Sequence, residues 1–106
     1  MTKFINRLAN NKIAYNQLIG KHMGIVFLSG FNSDMQGKKA LYLEKWAKDN
    51  NHSFLRFDYS GHGQSSGEIE KTCFSDWYQD AEYIINKKTK KKQILIGSSM
   101  GAWIML

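Results

Sequence analysis

The sequence contains no proline and a single cysteine, and only two of its fifteen basic residues are arginine, Arg7 and Arg56. Without proline, the breaks between elements fall to Gly, Asn, Asp and Ser. One cysteine, Cys73, excludes an internal disulfide and a cysteine-rich zinc site, and it fits a reducing compartment. No stretch approaches the ~20 apolar residues that span a bilayer. The N-terminal segment MTKFINRLANNKIAYNQLIG lacks the uninterrupted apolar core of a secretory signal, so the expected location is the cytoplasm. The formal charge of +6 is carried almost wholly by lysine. Readers of DNA sequence rely on the planar fork of arginine, so this balance argues against sequence-specific DNA binding. No group of His, Cys, Asp and Glu has metal-ligand spacing, and the expectation is no metal and no cofactor.

What is present describes a small globular domain. Apolar residues make up 42% of the 106 positions and aromatics 13%, enough to offset ordering entropy and build a core. Phe4 to Leu8 and Ile13 to Ile19 alternate weakly around the turn signal Asn10-Asn11-Lys12 and read as an edge hairpin. Gly20 to Met23 reads as a polar turn. Gly24 to Leu28 is a continuous apolar run, as in a strand covered on both faces. A helix follows from about Gln36 to Asp49, with Ala40, Leu41, Leu43, Trp46 and Ala47 at helical spacing. Ser53 to Phe57 is the next strand, and the Gly- and Ser-rich segment Asp58 to Gly67 is a loop. A second helix runs from about Thr72 or Cys73 to Asn86. Lys87 to Lys92 forms a basic connector, Ile94 to Ile96 a third buried strand, and Met100 to Leu106 opens a third helix. Strands alternating with helices of this length predict an α/β fold with a mostly parallel sheet flanked by helices.

The segment Lys92 to Ile104 concentrates the chemistry. An apolar run ends in Gly97-Ser98-Ser99-Met100-Gly101, which is Gly-x-Ser-x-Gly, and a helix begins at once. That order of strand, sharp turn and helix is the context of a nucleophile elbow, and the spacing selects Ser99 over Ser98. A serine hydroxyl becomes a useful nucleophile when it is held rigidly beside a base, with donors ready for the developing oxyanion. The turn needs small neighbours, which Gly97 and Gly101 supply. The helix start aims free N–H groups, beginning with that of Met100, at the oxyanion. The second donor should come from the loop after the first buried strand, Leu28 to Asn32, where Phe31 is the natural candidate and Gly30 permits close approach. The competing reading is a plain strand-to-helix turn.

Three motifs in order, Phe27 to Phe31, Arg56 to Ser65 and Gly97 to Gly101, resemble the α/β-hydrolase superfamily. More narrowly, they are similar to the serine esterases and thioesterases grouped with mitochondrial acyl-protein thioesterases and acyl-glucuronide esterases and their bacterial relatives. The resemblance runs from about Gly24 to Leu106. It implies Ser99 as nucleophile, the Phe31 and Met100 N–H groups as oxyanion hole, and a small ester or acyl thioester as substrate. It also implies that Asp58 braces its loop through hydrogen bonds and stays outside the triad. In this fold the triad runs Ser, then Asp or Glu, then His. Both partners of Ser99 should therefore lie beyond Leu106, and residues 1–106 read as a partial hydrolase domain truncated after the elbow.

The other candidates weigh less. His22 and His52 fall in turns and read as surface residues. His62 is the one histidine whose loop opens toward the elbow, although a base also needs reach and an orienting partner. Asp76, Asp80, Glu68 and Glu70 read as compensation for a helix N-terminus and exposed faces. Cys73 reads as a small packed side chain, and Trp46, Trp77 and Trp103 as core. Leu28, Phe31, Met35 and Met100 are candidates for part of an acyl pocket. The function expected is a serine ester or thioester hydrolase completed by a missing C-terminal half, which a separate chain could carry. The first alternative is a truncated, inactive remnant. A basic nucleic-acid-binding protein, resting on charge alone, ranks last.

Overall fold

The computed structural model describes residues 2–8 and 11–106. Its strands are β1 (Lys3–Leu8), β2 (Asn11–Leu18), β3 (His22–Leu28), β4 (His52–Phe57) and β5 (Gln93–Gly97). The helices are α1 (Lys38–Asp49), α2 (Phe74–Lys88) and α3 (Met100–Ile104), with a 3-10 turn at Ile69–Lys71. One sheet runs in the order β1-β2-β4-β3-β5. β3 pairs in parallel with both β4 and β5, as expected, and the antiparallel hairpin β1–β2 joined to β4 makes the sheet mixed. Asn10, part of the turn signal, lies outside the described residues.

The apolar run of β3 divides its side chains between two cores, as the two-residue strand period requires. Ile25 and Phe27 pack with Ala40, Ala47 and Phe54 on the α1 side. Val26 and Leu28 pack with Leu55, Phe57, Trp77, Ile84 and Ile104 on the side of α2 and α3. The result is a three-layer α/β/α arrangement. β3 is the middle one of the three parallel strands, because the chain crosses to β4 on one flank and returns to β5 on the other. The loops after β3 and β5 therefore diverge at the C-terminal ends of neighbouring parallel strands, where open α/β sheets form their ligand crevices.

Several expectations shift. His22 and Met23 belong to β3, which begins ahead of the predicted run. α1 starts at Lys38 because Gly37, still extended, is its N-cap, and α2 absorbs Lys87 and Lys88 from the predicted connector. The third strand was expected to be buried, yet Ile94 is exposed and Leu95 and Ile96 are half-buried. Among the described residues β5 is paired only with β3 and forms the sheet edge. Of the three tryptophans, Trp77 is core, whereas Trp46 and Trp103 are exposed. Asp80, expected on an exposed face, is fully buried on α2. It accepts the Ser60 N–H at 2.8 Å and lies 2.6 Å from Arg7 Nε of β1, a contact of charges without the alignment of a hydrogen bond. Asp76 does serve the helix start, accepting the Cys73 N–H at 2.9 Å, and Cys73 is itself the exposed N-cap rather than a packed side chain.

Gly101 shows how tightly α3 seats on β3. A Cβ there would run into the Leu28 carbonyl oxygen and come within 2.9 Å of that of Ser29. Both obstacles are backbone, so neither can swing aside. Gly101→Ala should therefore lower stability by about 1–3 kcal/mol, the usual range for overpacking, as read from the shift of a urea unfolding midpoint.

Candidate active site

Ser99 stands exposed between β5 and α3 with φ 53° and ψ −113°, outside the regions that L-residues adopt without strain. Two constraints impose this conformation. The Ser98 N–H donates to the Leu28 carbonyl at 3.0 Å, fixing the end of β5 to β3. The helix begins immediately, with the Gly101 and Ala102 N–H groups donating to the Ser98 and Ser99 carbonyls at 3.0 Å each. Room for so sharp a reversal comes from the glycines on either side. A Cβ on Gly97 would lie 2.5 Å from the Gly101 carbonyl carbon, so side chains there would force the turn open. The Ser99 hydroxyl makes no capping bond to α3.

The loop after β3 lies against this turn. A Cβ on Gly30 would come within 3.2 Å of the Ser98 carbonyl oxygen and 3.5 Å of the Ser99 Cβ. Nearby N–H groups are taken: Ser33 donates to the Gly30 carbonyl at 3.2 Å and Asn32 to His62 Nε2 at 2.9 Å. Among the described residues, the Phe31 and Met100 N–H groups have no such acceptor. The structure therefore brings Ser99, Gly97, Gly101, Met100 and Phe31 to one end of the sheet.

The loop after β4 holds the loop after β3 in place. Asp58 is buried, and its two carboxylate oxygens accept the Met35 N–H at 2.7 Å and the Gln64 N–H at 3.0 Å, one from each loop. Burial raises its pKa above the ordinary carboxylate range, and those two hydrogen bonds oppose the rise. Desolvation likewise raises Asp80, against the Ser60 hydrogen bonds and Arg7. The Tyr59 hydroxyl, also pushed up by burial, donates to the Ser29 carbonyl at 2.9 Å. Arg56 pairs with Glu44 of α1 at 2.9 Å and donates to the Met35 carbonyl at 2.9 Å.

His62 is buried, and both its ring nitrogens are occupied. Nε2 accepts from Asn32, so the proton resides on Nδ1, which faces the Ser60 carbonyl at 3.0 Å. The ring meets Phe31, Tyr59 and Trp77 edge-on. It is thus committed to the backbone of the β3 loop and is not free to act as a base for Ser99. The sequence suggested that this loop faces the elbow, but not that the imidazole is spent on Asn32. His22 is exposed, while His52 is half-buried and stacks on Trp46 with centroids 5.3 Å apart.

Of the side chains considered for an acyl pocket, Leu28 and Met35 are sealed in the interior, whereas Phe31 is exposed. A cavity of about 490 Å³ beside the elbow is lined by Phe27, Tyr42, Leu43, Ile96, Gly97 and Ser98, together with Lys38 and Lys39. It lies on the α1 face, along the uncovered flank of β5. Among the described residues no group of His, Cys, Asp and Glu is arranged to hold a metal ion, and no helix is long and apolar enough to cross a membrane.

Comparison with known proteins agrees with this geometry. The human protein named palmitoyl-protein thioesterase ABHD10, mitochondrial, is 44% identical over 103 residues, and the rat protein of the same name is 42% identical. The match covers 97% of this chain but only about a third of theirs, 34% and 35%. The solved structure of alpha/beta hydrolase domain-containing protein 10 from mouse superposes with a TM-score of 0.95 at 40% identity, over 99% of this chain and 42% of that one. A putative hydrolase from Agrobacterium vitis S4 superposes with a TM-score of 0.89 at 32% identity, over 99% of this chain and 42% of its own. The expectation of a cytoplasmic location is overturned, since these curated relatives are named as mitochondrial proteins. A family model described as serine aminopeptidase, S33, matches residues 21–106. With that match, and with Ser99 at a strained strand-to-helix turn, this chain belongs to the Hydrolase_4 family of α/β-hydrolases.

Proposed function

We propose that this chain supplies the nucleophile and oxyanion hole of a serine hydrolase acting on acyl thioesters or esters. The observation that carries the reading is the backbone at Ser99. A non-glycine residue held at φ 53°, ψ −113° costs of order 1–3 kcal/mol. Such a cost is expected where the hydroxyl must be presented at a fixed point. The naming of the relatives as palmitoyl-protein thioesterases favours a fatty-acyl thioester as the substrate.

In this mechanism Ser99 Oγ attacks the acyl carbonyl while a histidine outside residues 1–106 takes its proton. The Phe31 and Met100 N–H groups stabilise the oxyanion, each donor contributing about 3 kcal/mol in comparable sites. Collapse breaks the C–S bond, and the thiolate leaves with the proton from the histidine. Water then cleaves the acyl-serine ester by the same steps. The acid and base come from the remainder of the domain, either continuous with this chain or carried by a second polypeptide. An inactive remnant is the competing reading, and the open flank of β5 suits both.

Two measurements test the proposal. A fluorophosphonate probe should label Ser99 when the domain is complete, losing fluoride as the Oγ–P bond forms. Residues 1–106 alone should label about a thousandfold or more slowly, as expected for loss of the base. Absence of Ser99-dependent labelling in the complete domain would leave the remnant reading. The second measurement is of stability. Ser99→Gly should be more stable than Ser99→Ala by about 1 kcal/mol or more in urea unfolding, because only glycine relieves the strain. Equal stabilities would mean that the turn is unstrained.

A further inference from the structure

The end of the sheet opposite Ser99 has a different chemistry. There β2 ends, β3 and β5 begin and α2 terminates, enclosing an open cavity of about 760 Å³. Its wall includes Lys21, Lys88, Lys90, Lys91 and Lys92 and, among the described residues, no carboxylate. Lys21, Lys90, Lys91 and Lys92 are exposed, and none joins an ion pair among the described residues. Lys88 turns aside, its Nζ standing 5.0 Å from the centre of the Tyr15 ring. Asp49, at the end of α1, is the acidic residue that the topology brings to this pole, and it is already paired with Lys45 at 2.9 Å. Of the other carboxylates, Asp34, Asp58, Glu68, Glu70, Asp76 and Asp80 lie in the loops after β3 and β4 or in the first half of α2, toward Ser99, while Glu44 and Glu82 lie midway along α1 and α2, Glu44 paired with Arg56. The Ser99 end thus mixes carboxylates with Lys38, Lys39 and Lys71, whereas the opposite end is predominantly basic.

Two apolar side chains stand out of the same basic surface. Ile19 is 76% exposed and Met23 52% exposed, and both border the cavity. Beside them the His22 ring, also on the cavity wall, neighbours His52, which carries the half-exposed Trp46. Lysines alone would suit any polyanion. Protruding aliphatic tips within a lysine ring, with a tryptophan at the margin, suit the boundary between headgroups and acyl chains. Single-stranded nucleic acid would instead call for arginine and stacking aromatics along the groove, and neither lines it beyond His22.

We propose that this pole is a docking surface for an anionic lipid bilayer, with Ile19 and Met23 entering the acyl boundary and Lys21, Lys90, Lys91 and Lys92 at the headgroups. Docking in this way turns Ser99 away from the bilayer, so that substrate reaches it from the aqueous side. The inference does not depend on the serine chemistry.

The test is flotation of the full polypeptide with vesicles of phosphatidylcholine, with and without about one third phosphatidylglycerol, circular dichroism being used to verify folding. Binding should require the anionic lipid and fall steeply between about 0.1 M and about 0.5 M salt, as the Debye length shrinks. Each lysine near such a surface contributes about fivefold, so the triple variant K90Q/K91Q/K92Q should bind roughly a hundredfold more weakly. The pair Ile19→Ser and Met23→Ser should weaken binding while leaving its salt dependence intact. Failure of the folded wild-type protein to float with anionic vesicles would overturn the proposal. So would lysine-dependent capture of single-stranded RNA without vesicle binding, which would assign the surface to nucleic acid.

Discussion

The Asp58 carboxylate is the constraint on which the site rests. It is buried and its pKa is raised by that burial, yet it accepts one backbone N–H from the loop after β3 and one from the loop after β4. A buried charge is tolerated where hydrogen bonds replace the lost water, and here the replacement also joins two segments that would otherwise diverge from the sheet. Gly63 makes the arrangement possible, because a Cβ at that position would collide with the same carboxylate. His62 adds a second tie between the same loops through Asn32, and Tyr59 a third through Ser29. The loop after β3, which lies beside Ser99, is thus tied at three points to the loop that follows β4.

This division of labour explains why one region is so rich in polar residues. Ser60, Ser65 and Ser66 do not line the crevice. Ser65 Oγ donates to the Asp58 carbonyl at 2.6 Å and accepts the Ala14 N–H at 2.8 Å, while Ser66 Oγ accepts the Lys12 N–H at 3.0 Å. Ser60 is held through its backbone, its N–H by Asp80 and its carbonyl by Trp77 Nε1 at 3.1 Å. The loop is irregular in shape, yet most of its N–H groups find acceptors within it or on β2 and α2, as its partial burial requires. It is in turn anchored to the hairpin β1–β2, which gives those two strands a part in the site.

Much of this was legible in the sequence because it depends on local pattern. The apolar run of β3, the helical spacing in α1 and α2 and the Gly-x-Ser-x-Gly turn each act through near neighbours. What could not be read depends on distant partners. Asp80 looks like a solvated helix residue until Arg7 and Ser60 arrive from elsewhere in the chain. His62 looks like a free imidazole until Asn32 takes its Nε2. The apolar run in β5 reads the same whether both flanks of the strand are covered or only one, and here one is open. Location was not legible for a related reason: the pattern of residues 1–20 bears on secretion and says nothing of other destinations.

The central claim is that the loop after β4, acting through Asp58 and His62, holds the loop after β3 in position against Ser99. Amide hydrogen exchange at Met35 and Asn32 tests it most directly, because those N–H groups are the bonds in question. In the wild-type protein both should be protected well beyond the neighbouring exposed amides. Asp58→Ala should release Met35, and His62→Ala should release Asn32, while the amides of β3 itself keep their protection. If Met35 and Asn32 exchange as freely as unstructured amides in the folded wild-type protein, the loop is held by something else and the account is contradicted.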